Sequence, residues 1–185
     1  MAGISAPYRI KAADFCDEVP VSIPRGVFPN ALPRRMSKLS KLCLLCVSRL
    51  VQEQGKEILQ LPLVYASRHG ELDRTHSLFE EWRDYGEMSP AGFSLSVHNA
   101  TASLLGLASH NQNNSTTLAA GADTLAMGIL EAAMICRSGT DCLLLYGDCY
   151  PEPTAAALIV EQGEPHTLPE TLAEIQAQWT KNFHP

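Results

Sequence analysis

Apolar residues recur along the chain in two rhythms, and each rhythm predicts a different element. Leu39, Leu42, Cys43, Cys46, Val47, Leu50 and Val51 recur at helical spacing. They predict a long helix opening at Pro33-Arg34-Arg35-Met36-Ser37 and running to about Gln54, with Gly55 as its stop. Its apolar residues cover much of its girth, so it should be well buried. Asp73 to Asp84 reads as a polar helix with Leu78, Phe79 and Trp82 on its inner side. Ser89-Pro90 breaks the chain, and Ser94 to Ser109 reads as a helix of small residues that another backbone can approach closely. Ala122 to Cys136 is a strongly apolar helix followed by Gly139. The second rhythm is the short apolar run between breakers, which predicts strands at Leu61 to Ala66, Cys142 to Tyr146 and Thr154 to Val160. Tyr8 to Ala12 and Thr116 to Ala120 add two more. The run from Cys142 is continuous, as in parallel sheets covered on both faces. Strands alternating with helices predict an α/β layer with a mostly parallel sheet. The organisation expected is one domain over residues 1–162. A polar C-terminal helix or arm follows over 163–185, with Thr167 to Trp179 as the helical part.

Composition narrows the function classes. The 185 residues are 45% apolar and 18% charged, which is globular composition. The net charge of −6 lacks the basic excess of a nucleic-acid binder. No apolar run reaches the ~18 residues of a membrane span, and Met1 to Pro7 carries no secretion signal, so a cytoplasmic protein is expected. Six cysteines mostly lie inside apolar runs, which predicts reduced, buried thiols. Cys43-Leu44-Leu45-Cys46 has CxxC spacing, but no second pair or HxxxH follows, so core packing is expected there rather than a metal. No metal and no cofactor is expected.

Two stretches carry a family signal. The first is Ser89-Pro90-Ala91-Gly92-Phe93-Ser94-Leu95-Ser96-Val97-His98-Asn99. The second is Leu118-Ala119-Ala120-Gly121-Ala122-Asp123-Thr124, then Gly128-Ile129-Leu130-Glu131-Ala132, then Ser138-Gly139-Thr140-Asp141-Cys142. Their order and spacing resemble the N-terminal half of a β-ketoacyl synthase of the thiolase-like superfamily. Arg34-Arg35-Met36-Ser37-Lys38 resembles the start of that family's first long helix. Ser96-Val97-His98-Asn99, preceded by Val64-Tyr65-Ala66-Ser67-Arg68-His69-Gly70-Glu71, resembles the short ketosynthase-like proteins of aryl polyene biosynthesis, chain-length-factor-like partners of a full ketosynthase.

The resemblance implies one half of a thiolase-like fold, with a five-stranded mixed, mostly parallel sheet and helices on both faces. It places the family's nucleophilic cysteine at Ala122, whose methyl group cannot hold an acyl thioester. Asp123 beside it would oppose a thiolate. The family's two catalytic histidines fall beyond Pro185. The implied function is therefore a non-catalytic subunit. It would pair with a catalytic ketosynthase and shape the tunnel in which an acyl chain grows on an acyl carrier protein. Gly92, Phe93, Ser96, Val97, Asn99, Ala100 and Ser103 would meet the partner or its tunnel, as would Thr116, Thr117, Leu118 and Ala119 on the strand at the two-fold axis. Arg34, Arg35 and Lys38 are either a solvated first helical turn or a weak docking site for the acidic carrier protein. Two alternatives stay open: a small stand-alone thioester hydrolase using Cys149, and a homodimeric scaffold. Ser67, Arg68, His69 and Asp73 can be grouped as a hydrolase-like set, but the Gly-x-Ser-x-Gly elbow is absent.

Overall fold

The computed structural model describes residues 4–20, 22–24, 26–28 and 36–183, the last six as backbone only. Its elements are β1 (Ser5–Cys16), α1 (Lys38–Gln54), β2 (Leu63–Ala66), α2 (Leu72–Tyr85), α3 (Pro90–Ser94), α4 (Ala100–Ser109), β3 (Ser115–Leu118), α5 (Thr124–Cys136), β4 (Cys142–Asp148), β5 (Thr154–Thr167) and α6 (Leu172–Phe183). Single 3-10 turns cover Lys56–Gln60 and Gly121–Asp123.

The strands form one mixed sheet in the order β1-β5-β4-β2-β3. β4, β2 and β3 pair in parallel, while β5 runs antiparallel to both β4 and β1. Four of the five strands therefore point the same way, which is the mostly parallel sheet the sequence predicts. Side chains alternate across it, as the two-residue period of a strand requires. Leu143 and Leu145 join Tyr65, Ala155, Ala157 and Ile159 under α1 and α4. Cys142 and Leu144 join Val64, Ala66, Leu158 and Val160 under α5, with Ile175 of α6. A continuous apolar strand is thus the signature of a layer covered on both faces.

α1 is buried nearly all round, because the sheet covers one side and α4 packs on it as well. Ser37 caps it: the Ser40 amide donates to Ser37 Oγ at 2.9 Å. Cys43 and Cys46 are fully buried core residues, as expected.

Several expectations need correction. The predicted helix from Ser94 to Ser109 is helical only from Ala100, and Ser94 is the last residue of a separate helix. Ser89 caps α3 with Pro90 in its first turn, and α4 begins only at Ala100. Residues 95–99 turn between them. α2 buries only Leu78, while Phe79 and Trp82 are 61% and 55% exposed rather than inward. β1 extends from Ser5 to Cys16, and β5 continues past residue 162 to Thr167, where it pairs with Ser5 to Pro7 of β1. The long antiparallel partner holds as strand the start of a polar stretch expected as a helix or arm.

Candidate functional site

The predicted interface residues fall in two places, on β3 with α4 beside it, and on α3 with the linker after it. β3 pairs with β2 along one side only, so its other side is an uncovered edge among the described strands. Beside it, Asn99, Ala102, Ser103 and Gly106 of the α4 region face Ser115 and Thr117 of β3 across a groove of about 200 Å³. The small side chains of α4 are what leave this space. Phe93 (58% exposed) and Val97 (41% exposed) stand outside the groove, on α3 and the linker after it. Gly92 is tightly placed, since a Cβ there would come 2.9 Å from Leu78 Cδ2. Ser96 is half-buried, and its hydroxyl donates to the Phe93 carbonyl at 2.8 Å. Ala100 is buried inside this chain. Thr116 is half-buried, Leu118 packs on the α5 core, and Ala119 is exposed. His98 bridges from the linker to the Ser67 carbonyl, with Nε2 at 2.7 Å.

Ala122 sits exposed in the 3-10 turn between β3 and α5, one residue pair ahead of the helix. Thr124 fastens this turn: its hydroxyl donates to the Gly121 carbonyl at 2.7 Å and accepts from the Ala120 amide at 2.9 Å. The turn borders an open cavity of about 510 Å³, lined also by Arg68, His69, Tyr146, Asp148 and Tyr150. Asp148 is 4% exposed. Its Oδ1 accepts the backbone amides of His69 and Cys149, each at 3.1 Å, and lies 3.0 Å from His69 Nδ1. The sequence grouped His69 with Ser67 and Asp73; in the structure its partner is Asp148, and Ser67 Oγ instead accepts the Gly70 amide. The missed signal is topological. β2 and β4 are parallel neighbours with Ala66 opposite Tyr146, so the residues just past both ends must meet.

A second cleft, of about 400 Å³, holds Lys38, Glu71, Asp73, Arg74 and Cys149. Glu71 is 4% exposed. It accepts hydrogen bonds from the hydroxyls of Ser37 (2.8 Å), Ser40 (3.0 Å) and Thr101 (3.2 Å). These bonds tie α1, α2 and α4 together. Burial first, then the carboxylates of Asp73 and Asp148, push the Cys149 thiol up from its ordinary value. A nucleophilic cysteine needs the opposite environment. Lys38 is exposed in the first turn of α1, whereas Arg34 and Arg35 lie outside the described residues. Among the described residues, no group of three or more His, Cys, Asp or Glu side chains could hold a metal, and no helix is long and apolar enough to cross a membrane.

The comparisons with known proteins agree with this architecture. A family model described as beta-ketoacyl synthase, N-terminal domain, matches residues 12–183. Among solved structures, the chain is similar to one chain of the complex between a ketosynthase (ApeO) and its chain length factor (ApeC) from Xenorhabdus doucetiae. The identity there is 24% over 85% of this chain and 80% of that one, with a TM-score of 0.69. It also resembles the ishigamide ketosynthase/chain length factor, at 15% identity over 70% of this chain and 46% of that one, with a TM-score of 0.59. A beta-ketoacyl synthase from Burkholderia phymatum is similar at 13% identity over 87% and 47% of the two chains, with a TM-score of 0.54. The chain thus spans about half the length of these last two. No curated protein sequence matches it. At such identities the likeness carries the α/β fold alone, while the family model covers nearly all of the chain. The chain belongs to the beta-ketoacyl synthase N-terminal domain family.

Proposed function

We propose that this chain is a chain-length-factor-like subunit that pairs with a full ketosynthase, stabilises it and shapes its acyl tunnel. The observation that carries this reading is the uncovered edge of β3 beside the small-residue groove at α4. An open strand edge is a standing risk of misassociation, and a partner that pairs with it removes the risk. Two of the similar solved structures are ketosynthase and chain length factor pairs, which supports the same reading. The partner would extend an acyl chain on a carrier protein by decarboxylative condensation with malonyl units in the cytoplasm, towards a polyene of the aryl polyene kind. This subunit would not condense, because Ala122 presents a methyl group where a thioester-forming thiol is needed. Gly92, Phe93, Ser96, Val97, Asn99, Ser103 and the Thr116–Ala119 stretch would meet the partner, with Phe93 as a stop for the growing chain. Ala100 would support them from below. Arg34, Arg35 and Lys38 would be a secondary contact for the acidic carrier protein.

Ser103 tests the groove. It is exposed, so Ser103→Trp should leave the fold intact while filling the space. With the co-expressed ketosynthase, the expected result is shorter products by mass spectrometry or loss of the complex. An unchanged product length in an intact complex would remove the groove from the tunnel.

A further inference from the structure

We propose that His69, oriented by Asp148, is a general base that drives hydrolysis of acyl thioesters in the cavity beside Ala122. The thioester class rests on the functional reading above; the base and its cavity do not. The cavity lies past the carboxyl ends of three parallel strands: His69 follows β2, Ala122 follows β3, and Asp148 ends β4. Open α/β sheets bind ligands at such ends.

The pair is built for one proton. A buried carboxylate only accepts, so Asp148 Oδ1, 3.0 Å from Nδ1, requires the proton to sit on that nitrogen. In the neutral ring, Nε2 then carries the lone pair. No described residue hydrogen-bonds to Nε2. Tyr150 meets the His69 ring edge-on, with centroids 5.6 Å apart, and so restricts its tilt. Leu125, Tyr146, Pro151 and Leu172 supply apolar wall for an acyl chain, and Arg68 supplies positive charge for a developing oxyanion. Of the turn residues that line the cavity, Gly121 and Ala122 carry no nucleophilic group, and the Thr124 hydroxyl is engaged at Gly121 and Ala120. The nucleophile is water. His69 Nε2 takes a proton from water as its oxygen bonds to the thioester carbon. The C–S bond then breaks with its electron pair on sulfur, and the imidazolium returns the proton to the thiolate. The products are a carboxylic acid and a thiol.

The test uses the full chain, alone and with its ketosynthase, with octanoyl-N-acetylcysteamine as probe and release of octanoic acid as readout. Wild type should exceed the buffer rate. His69→Gln and His69→Ala should lower kcat by about 100-fold or more, and added imidazole should restore part of the His69→Ala loss. Asp148→Asn should lower kcat with little change in KM, and Cys149→Ser should hydrolyse at the wild-type rate. Circular dichroism on each variant separates loss of activity from loss of fold. Wild type at the buffer rate, His69 variants at the wild-type rate, or activity that vanishes in Cys149→Ser instead would each overturn the proposal. Co-elution of His69→Ala with the ketosynthase reads out pairing separately, so failure of hydrolysis and failure of the subunit reading are distinguishable.

Discussion

At the scale of single residues, the polar groups inside this chain act by joining elements. Glu71 is held in the core by three hydroxyl donors from α1 and α4, and the chain follows it into α2. Removing the carboxylate takes away the acceptor these hydroxyls share and leaves them to bond one another, Ser37 to Ser40 at 3.0 Å and Ser40 to Thr101 at 2.8 Å. Glu71→Ala should therefore cost about 1–3 kcal/mol in urea unfolding, and Thr101→Val less. The cysteines make a second test. Five are buried and only Cys149 is half-exposed. One thiol should react with a disulfide reagent in the folded protein, and six after denaturation. Reaction of two or more in the native state would contradict the packing described. The burial of Cys43 and Cys46 was legible from the helical spacing around them. The pairing of His69 with Asp148 was not, because residues 79 positions apart meet only through the strand order.

At the scale of elements, periodicity told where helices run better than what covers them. The aromatic residues of α2 recur at helical spacing, but only Leu78 of that face is buried. Spacing shows that a face exists, and the chain alone does not say whose core it joins. Phe79→Ser and Trp82→Gln should accordingly change stability by no more than about 0.5 kcal/mol, as for exposed sites. The break between α3 and α4 was only half legible. Ser89-Pro90 marks the first start, yet no Gly or Pro marks the turn at residues 95–99. α5 is the opposite case, since its tight seat on the sheet depends on one missing side chain. A Cβ at Gly128 would lie 2.7 Å from Ala66 Cβ and 3.2 Å from Leu144 Cδ1. Gly128→Ala should therefore destabilise by about 1–3 kcal/mol through overpacking, despite the better helix propensity of alanine. Thermal or urea unfolding decides the sign.

At the scale of the whole molecule, the two-sided sheet was legible because strand runs and helix faces repeat a simple alternation. The length of β5 was not, because its polar end is fixed by β1 from the far end of the chain. The same burial sets the alkaline limit of stability. Burial pushes Cys136 up to about 11 and Cys142 up to about 12, from about 8.5 in an unfolded chain. Above that lower value the unfolded state has fewer bound protons than the native state, so stability falls as pH rises. It should be full below about pH 8.5 and decline towards pH 11–12. Replacing Cys136 by alanine should flatten that decline in pH-dependent urea unfolding.

The central claim concerns assembly, and one measurement reaches it most directly. The tagged chain, co-expressed with a full-length ketosynthase, would be run on size exclusion with light scattering. The account predicts a 1:1 complex whose malonyl-dependent product is unchanged by Cys149→Ser. A chain that elutes alone, folded and monodisperse, with the ketosynthase in a separate peak, would contradict it.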